Sequence, residues 1–362
     1  MLTTIISNIN DSCKQQVLIM NVKDLILKKL KEKGEVKSSE IVKATEYSRV
    51  YVNRYFKELC EEGVLLQVGK ANKAKYVPAT EEIILKERKS INKIHRIFNN
   101  INLHEDEVFD SIKRNSGIID GLSSRISAIL EYALTEMFNN AIEHSESKKI
   151  EMVIEKRTNN IVFEIRDWGV GIFNNIMTKK GLKSKMEAIQ DLLKGKQTTA
   201  PSYHSGEGIF FTSKMGDILT IQSSEKKIIF NNLIKDLFVR DVKNTQGTKV
   251  VFSINLNSTR NLNNIFKHYS DSNYEFSKTE VAIKLFSVNV NYISRSQARR
   301  VLTGLEKFKT IILDFRGIDA VGQAFADEIF RIWKIKNPKV NIIFQNANEN
   351  VQFMIKRALS RE

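Results

Sequence analysis

Apolar residues recur at helical spacing near the start of the chain, at Val22, Leu25, Ile26 and Leu30, and Gly34 supplies the stop. Ser38 and Ser39 cap a short second helix through Ala44. Ser48 opens a third, whose Val52, Tyr55, Phe56 and Leu59 form one stripe before Gly63 ends it. Val64–Pro78 then reads as two short strands around the polar turn Gly69–Lys73. Residues 80–125 carry a broken apolar stripe (Ile83, Ile84, Ile91, Ile94, Ile97 and Phe98) and are expected to form a mostly helical connector. A long amphipathic helix follows from 126 to His144. After it, KKIEMVIEK and NIVFEIRDWG alternate as two strands joined across Thr158–Asn160. Lysine-rich, partly helical sequence (Asn174–Tyr203) leads to a short helix at 208–214 and strands at Ile218–Gln222, Lys227–Leu233 and Thr248–Ile254. Residues 257–278 are polar and read as a linker. From Val281 the pattern is strand, helix (Ser294–Phe308), strand TIILDF, helix (Gln323–Ile335), strand VNIIFQN and a final helix from Asn350. The expected class is multidomain α+β. It divides into a small helical unit at 1–79, the connector at 80–125, a mixed sheet with helices on one face at 126–256, the linker, and a small α/β domain at 279–362.

Composition narrows the classes without choosing among them. The 362 residues are 42% hydrophobic and 27% charged, with 16 Gly and 3 Pro, which excludes collagen-like and proline-rich disordered chains. No run of about 18 apolar residues is present, so no membrane span is expected. The opening MLTTIISNINDSCKQQ lacks the basic and apolar regions of a secretory signal. Cys13 and Cys60 are too few for a disulfide framework or zinc cluster, and reduced thiols in a cytoplasmic protein are expected. The net charge of +15 invites an acidic partner. It is spread evenly, however, with excesses of five, four and six over residues 1–80, 81–278 and 279–362. General lysine enrichment explains that spread as well as nucleic-acid binding does.

Four separated motifs in the middle region carry chemistry. In EYALTEMFNNAIEHS, Glu136, Asn140 and His144 recur every four residues and share a helix face opposite the apolar Ile129, Leu130, Ala133, Leu134, Met137 and Ala141. A Glu one turn from an Asn offers a carboxylate that polarises water beside an amide oxygen that ligates Mg²⁺, although a solvated polar face shows the same spacing. Asp167-Trp168-Gly169-Val170-Gly171 ends a strand, where a carboxylate can accept the amine of adenine and glycines admit backbone close to a nucleotide. His204-Ser205-Gly206-Glu207-Gly208 precedes a helix, an arrangement in which backbone N–H groups cradle phosphate. Gly247-Thr248 opens a strand and places a hydroxyl in reach of the base.

In this order and spacing the four motifs resemble the GHKL (Bergerat) ATPase fold, shared by histidine kinases, anti-sigma-factor serine kinases and type II topoisomerases. The resemblance covers roughly residues 100–255. It implies an α/β sandwich that binds Mg²⁺-ATP. By resemblance Glu136 is the general base, Asn140 the Mg²⁺ ligand, Asp167 with Gly169 and Gly171 the adenine box, Gly206 and Gly208 the second glycine box, and Thr248 the adenine-contacting threonine. Phe173–Ser205 would be the ATP lid, and Lys179, Lys180, Lys183 and Lys185 lie in it. His95, in KIHRIF, is followed by Arg96 where a phosphoacceptor histidine usually has an acidic neighbour, so a structural role is expected.

The flanks add two expectations. Three helices and a two-stranded wing within about 60 residues follow the order of a winged helix-turn-helix. Arg49, Tyr51, Asn53, Arg54 and Lys57 lie off the apolar stripe of its third helix and form the set that would contact double-stranded DNA, with Lys70, Lys73 and Lys75 on the wing. Contact with protein instead is the alternative, favoured slightly by Glu58, Glu61 and Glu62. At the other end, LDFRGIDAVGQAFADEIFRIW resembles a STAS-like (DUF4325-type) domain, which implies a protein partner. The loop that carries a phosphoacceptor serine in STAS anti-anti-sigma factors reads Val321-Gly322-Gln323-Ala324 and has no hydroxyl. The expected function is a nucleotide switch in which ATP binding and hydrolysis control the flanking domains, with a homodimer compatible. The alternative is a serine/threonine kinase of the anti-sigma-factor type acting on a separate protein.

Overall fold

The computed structural model describes residues 21–69, 73–195, 207–286 and 294–360. Cys13, Lys70 and the whole 196–206 stretch, Gly206 included, therefore lie outside the described residues. The chain divides into two compact units, residues 1–91 and 92–362.

In the first unit, α1 (Val22–Lys33), α2 (Ser38–Thr45) and α3 (Arg49–Glu61) precede an antiparallel pair, β1 (Leu65–Val68) and β2 (Lys75–Pro78). The apolar stripes foreseen from spacing meet in one core of Val22, Leu25, Ile26, Leu30, Ile41, Val52, Phe56, Leu59 and Leu65. The ring of Tyr76 on β2 stacks on Phe56 at 4.1 Å and fastens the pair to α3. Gly34 caps α1 in the left-handed conformation, and the Ser48 side chain accepts from the Tyr51 N–H to start α3. α4 (Glu81–Ser90) ends the unit and buries none of its residues.

The second unit is built on a five-stranded sheet in the order β3-β4-β5-β7-β6, formed by β3 (Lys93–Asn99), β4 (Lys149–Lys156), β5 (Asn160–Asp167), β6 (Ile218–Asn231) and β7 (Asp236–Asn255). The pairings within it are antiparallel; among the described residues the parallel ones are confined to the C-terminal sheet. Inward positions alternate along the strands (Ile150, Met152 and Ile154; Ile161, Phe163 and Ile165). α5 (Glu105–Asn115) and α6 (Ser124–His144) supply the helical layer, and α6 buries the apolar face read from its sequence. α7 (Ile172–Lys180), α8 (Lys185–Leu193) and α9 (Gly208–Met215) follow between β5 and β6.

Two expectations are corrected here. The connector is not mostly helical: β3 occupies Lys93–Asn99 and pairs with β4 along its whole length. Isoleucines at 91, 94 and 97 mimic helical spacing, but Ile94 is buried while Ile97 is exposed, the alternation of a strand. Nor is 257–278 a linker. α10 (Leu262–Tyr269) lies within it, Phe266 packs its ring on Tyr132 and Phe211, and Tyr269 and Phe276 are buried against Phe210. Few apolar residues in a polar stretch hid a helix that buries one face.

β8 (Lys278–Ala282), β9 (Thr310–Asp314) and β10 (Asn341–Gln345) make a parallel sheet in the order β10-β9-β8. α11 (Arg295–Leu302), a helical stretch from Gln323 to Lys336 that is π-wound between Asp327 and Trp333, and α12 (Glu349–Leu359) cover it. The expected helix to Phe308 ends early, at Leu302, ahead of the left-handed Gly304. A single hydrophobic core runs from Ile94 to Ala358, so the two sheets of this unit share one interior.

Candidate functional site

A cavity opens between α6, the end of β5, the start of α9 and β7. Glu136, Asn140, Asp167, Gly208 and Thr248 all line it, along with His144. Residues more than a hundred positions apart thus meet in one place. Gly169 and Gly171 lie in the turn after Asp167, and Gly206 falls outside the described residues.

Helical phase brings Glu136, Asn140 and His144 to the cavity, because four residues advance an α-helix by little more than a turn. At the end of β5, Asp167 is only 3% exposed. Its Oδ1 accepts the N–H of Gly169 at 2.9 Å and of Thr248 at 3.2 Å. Burial pushes this carboxyl above the usual carboxylate range, and those two N–H groups oppose the rise. The Thr248 hydroxyl in turn accepts from the Ile172 N–H at 3.0 Å, which ties β7 to the start of α7. Gly171 holds φ near +79°, and a Cβ there would collide with the Ser223 hydroxyl, so the turn leading from Asp167 into α7 requires glycine. A Cβ on Gly208 would overlap the Glu136 carboxylate: the first turn of α9 approaches that side chain as closely as backbone can.

Three residues that sequence reasoning missed complete the surroundings. Tyr132 is half-buried one turn before Glu136. Burial raises its hydroxyl far above the ordinary tyrosine value, with Glu136 and Glu207 adding to the rise. Its position four residues from Glu136 was the available signal. Asn175 is buried and its amide donates to the His144 carbonyl at 2.8 Å, closing the end of α6. Nothing in its sequence context marks it.

The third, Lys194, is 3% exposed, and its ammonium donates to the carbonyls of Arg300 and Thr303, both at 2.8 Å. Burial lowers its pKa to about 8. Its own carbonyl accepts from the Thr279 hydroxyl at 2.6 Å, and Gln190 of α8 donates to the Leu285 carbonyl at 2.7 Å. The segment between the two glycine motifs is therefore fastened to the C-terminal sheet and α11. α9 is fastened there too, through Lys214 and Glu280 at 2.7 Å. Of the lysines foreseen in this segment, Lys180 pairs with Asp191 and Lys185 with Glu225.

The N-terminal candidates share the outer surface of α3. Arg49, Tyr51, Asn53, Arg54 and Lys57 are exposed, and Lys73 is exposed beside β2. Arg54 pairs with Glu58 at 3.3 Å and lies over the rings of Tyr51 and Tyr55. Lys57 pairs with Glu61 at 3.5 Å, Asn53 accepts from the Ser38 hydroxyl, and Lys75 pairs with Glu35. His95 faces outward on β3 and meets Glu151 at 2.7 Å. In the C-terminal region arginines hold two buried carboxylates: Glu328 meets Arg295 and Arg299, and Asp327 meets Arg331. Among the described residues, no helix is long and apolar enough to cross a membrane.

No curated protein and no solved structure matches the chain. Two family models do. Residues 297–352 match a STAS-like domain of unknown function (DUF4325), which takes in α11, β9 and β10. Residues 107–230 match a histidine kinase-like ATPase domain, beginning inside α5 and including Glu136, Asn140, Asp167 and Gly208. Most of the cavity lining thus lies in a region similar to GHKL-type ATPases, and β9 and β10 lie in a region similar to STAS-like domains, whereas β8, with Thr279 and Glu280, precedes that match.

Proposed function

We propose that the protein is an ATP-dependent regulator in which a GHKL-type domain binds and hydrolyses Mg²⁺-ATP to control its flanking domains. The convergence of Glu136, Asn140, Asp167, Gly208 and Thr248 on one cavity carries this reading. Buried Asp167 receives the adenine amine, with Thr248 beside it. The N–H groups at the start of α9 face phosphate, where a helix terminus favours negative charge. Glu136 accepts the proton of the attacking oxygen.

The donors present suit Mg²⁺. Among the described residues no cluster of three or more Asp, Glu, His or Cys could hold an ion by itself, and Mg²⁺ characteristically takes one or two protein oxygens, the rest coming from water and phosphate. Asn140 would hold it through the amide oxygen, and the ion would offset charge on the phosphates.

The N-terminal unit is read as a winged helix for double-stranded DNA. Its element order and the exposed Arg49, Tyr51 and Lys73 support this. The STAS-like region is read as the docking site for a protein partner. Equilibrium binding of a nonhydrolysable ATP analogue, with and without Mg²⁺, tests the core of the proposal; no binding in the folded protein refutes it.

A second reading, a serine/threonine kinase acting on a separate chain, draws on the loop Val321-Gly322-Gln323-Ala324, whose lack of a hydroxyl leaves the acceptor to another protein. Incubation with γ-labelled ATP and lysate separates the two: free phosphate supports the regulator, a labelled protein the kinase.

A further inference from the structure

We infer that the second unit holds another ligand site, a cavity between α9, the β6–β7 turn and the C-terminal sheet that takes a small zwitterion, an α-amino acid with an apolar side chain.

The cavity measures about 460 Å³, within the range of small-molecule sites. One wall is the C-terminal sheet. Ala282, Asp314 and Gln345 end β8, β9 and β10 side by side in one row, and Glu280 and Ile312 lie in the row two residues before. Alternation puts both rows on one face, at the carboxyl ends of parallel strands, where open α/β sheets hold their ligands. A parallel sheet covered on both faces is ordinarily apolar on each. The opposite face keeps that rule, with Val281, Ile311 and Leu313 buried. This one carries Glu280, Asp314 and Gln345 and leaves open space against its neighbour.

Most charges around the cavity cancel in pairs. Lys214 meets Glu280 at 2.7 Å, and Lys284 meets Asp236. Three charges are not answered in this way. The Asp314 carboxylate accepts the N–H of Arg316 and the amide of Asn346, both at 2.9 Å, and among the described residues it meets no cation. The Arg316 guanidinium donates to the carbonyls of Ile234, at 3.2 Å, and Lys235; Asp236, which feels its charge, is already bonded to Lys284. The exposed Lys235 forms no ion pair among the described residues. The cavity thus offers one carboxylate for an ammonium group and two neighbouring cations for a carboxylate. An apolar molecule would strand these charges, and an anion or a cation alone would answer only one sign. Leu193, Phe230 and Leu237 supply apolar wall for a side chain.

The position also bears on the nucleotide cavity. α8 and α9 form a common wall: Leu192, Gly208 and Ile209 line the first cavity, while Leu193, Phe210 and Lys214 line the second. A ligand on one side therefore acts on the backbone that shapes the other, and such coupling is equal in both directions. The coupling rests on the ATP reading of the first cavity; the second site does not.

Calorimetric titration of the full chain with L-leucine and L-phenylalanine tests the site, and at least one should bind one to one. Isoamylamine and isocaproate lack the carboxylate and the ammonium of leucine, as phenethylamine and hydrocinnamate lack those of phenylalanine. Each should bind at least about tenfold more weakly than its parent, the effect of losing one charge-assisted hydrogen bond. Lys235→Gln, Arg316→Gln and Asp314→Asn should weaken binding by a similar factor. Saturating amino acid should change the affinity of the wild type for a nonhydrolysable ATP analogue by about fivefold or more. No binding of either amino acid at millimolar concentration overturns the inference, and so does equal binding of the amine and the acid. Binding untouched in all three folded variants overturns it as well. Unchanged affinity for the analogue overturns the coupling alone. If the analogue itself does not bind, the ATP reading fails, and the amino-acid titration still decides the second site.

Discussion

Asp167→Asn separates nucleotide binding from stability, because the two should move in different directions. Asparagine keeps the shape and an acceptor oxygen, so the bonds from the Gly169 and Thr248 N–H groups can survive. What it changes is the rest of the group: an acceptor becomes an NH₂ donor, which opposes the donor amine of adenine. Losing a hydrogen bond to a charged acceptor costs about 1.5–3 kcal/mol, or roughly ten- to a hundredfold in affinity. Stability follows another rule. The folded-state pKa of Asp167 lies above its usual value because burial outweighs its two N–H donors. A raised acid contributes stability that is present below its unfolded pKa and lost as pH rises through the folded one, so at neutral pH the ionised carboxylate costs stability. Asp167→Asn removes that cost. Its Tm at pH 7 should equal or exceed the wild-type Tm, and this advantage should vanish on acidification to pH values below the ordinary carboxylate range. Calorimetric titration with a nonhydrolysable ATP analogue, run beside thermal unfolding at several pH values, gives both numbers. Wild-type affinity in the folded variant would refute the adenine assignment. A large loss of Tm at neutral pH would refute the electrostatic argument.

Three other outcomes are expected. Glu136→Gln should bind the analogue normally and release no phosphate, whereas Asn140→Ala should lose the Mg²⁺ dependence of binding; turnover assays and binding with and without chelator distinguish them. Lys194 has a folded pKa of about 8, well below its ordinary value, so its contribution to stability should rise with pH from about 8 towards the ordinary lysine range. Lys194→Met should lose that rise, which denaturant titrations at several pH values between about 7 and 10 would show. Under the DNA reading, affinity should fall steeply with salt. Arg49→Ala should weaken it more than Arg54→Ala, whose guanidinium is already engaged by Glu58 and two tyrosine rings; absence of binding at low salt moves this unit to protein contact.

The difference between what was legible in advance and what was not follows from the range of the information. Helical phase is local, and it placed Glu136, Asn140 and the buried face of α6 correctly because four residues advance the helix by about one turn. Alternation is local too, and it marked β4 and β5 and the turn at which Asp167 sits. Glycines beside polar residues signalled close backbone approach, and at Gly208 the neighbour proved to be the Glu136 carboxylate. Those short-range patterns were enough to indicate the ATPase-like and STAS-like regions.

Partner choice is not local, and there tertiary structure decided. β3 is a strand because β4 offers it a full-length edge; by itself its isoleucine spacing suits a helix. The sequence at 262–269 has too few apolar residues to announce a buried face, and α10 becomes ordered against aromatic rings supplied by α6 and α9. The same holds for the charges. Nothing in the sequence singles out Lys194, yet packing buried it and gave its ammonium two carbonyls from a segment a hundred residues distant. A sequence specifies which groups want burial or a partner; which group satisfies them depends on contacts that exist only once the chain has closed on itself.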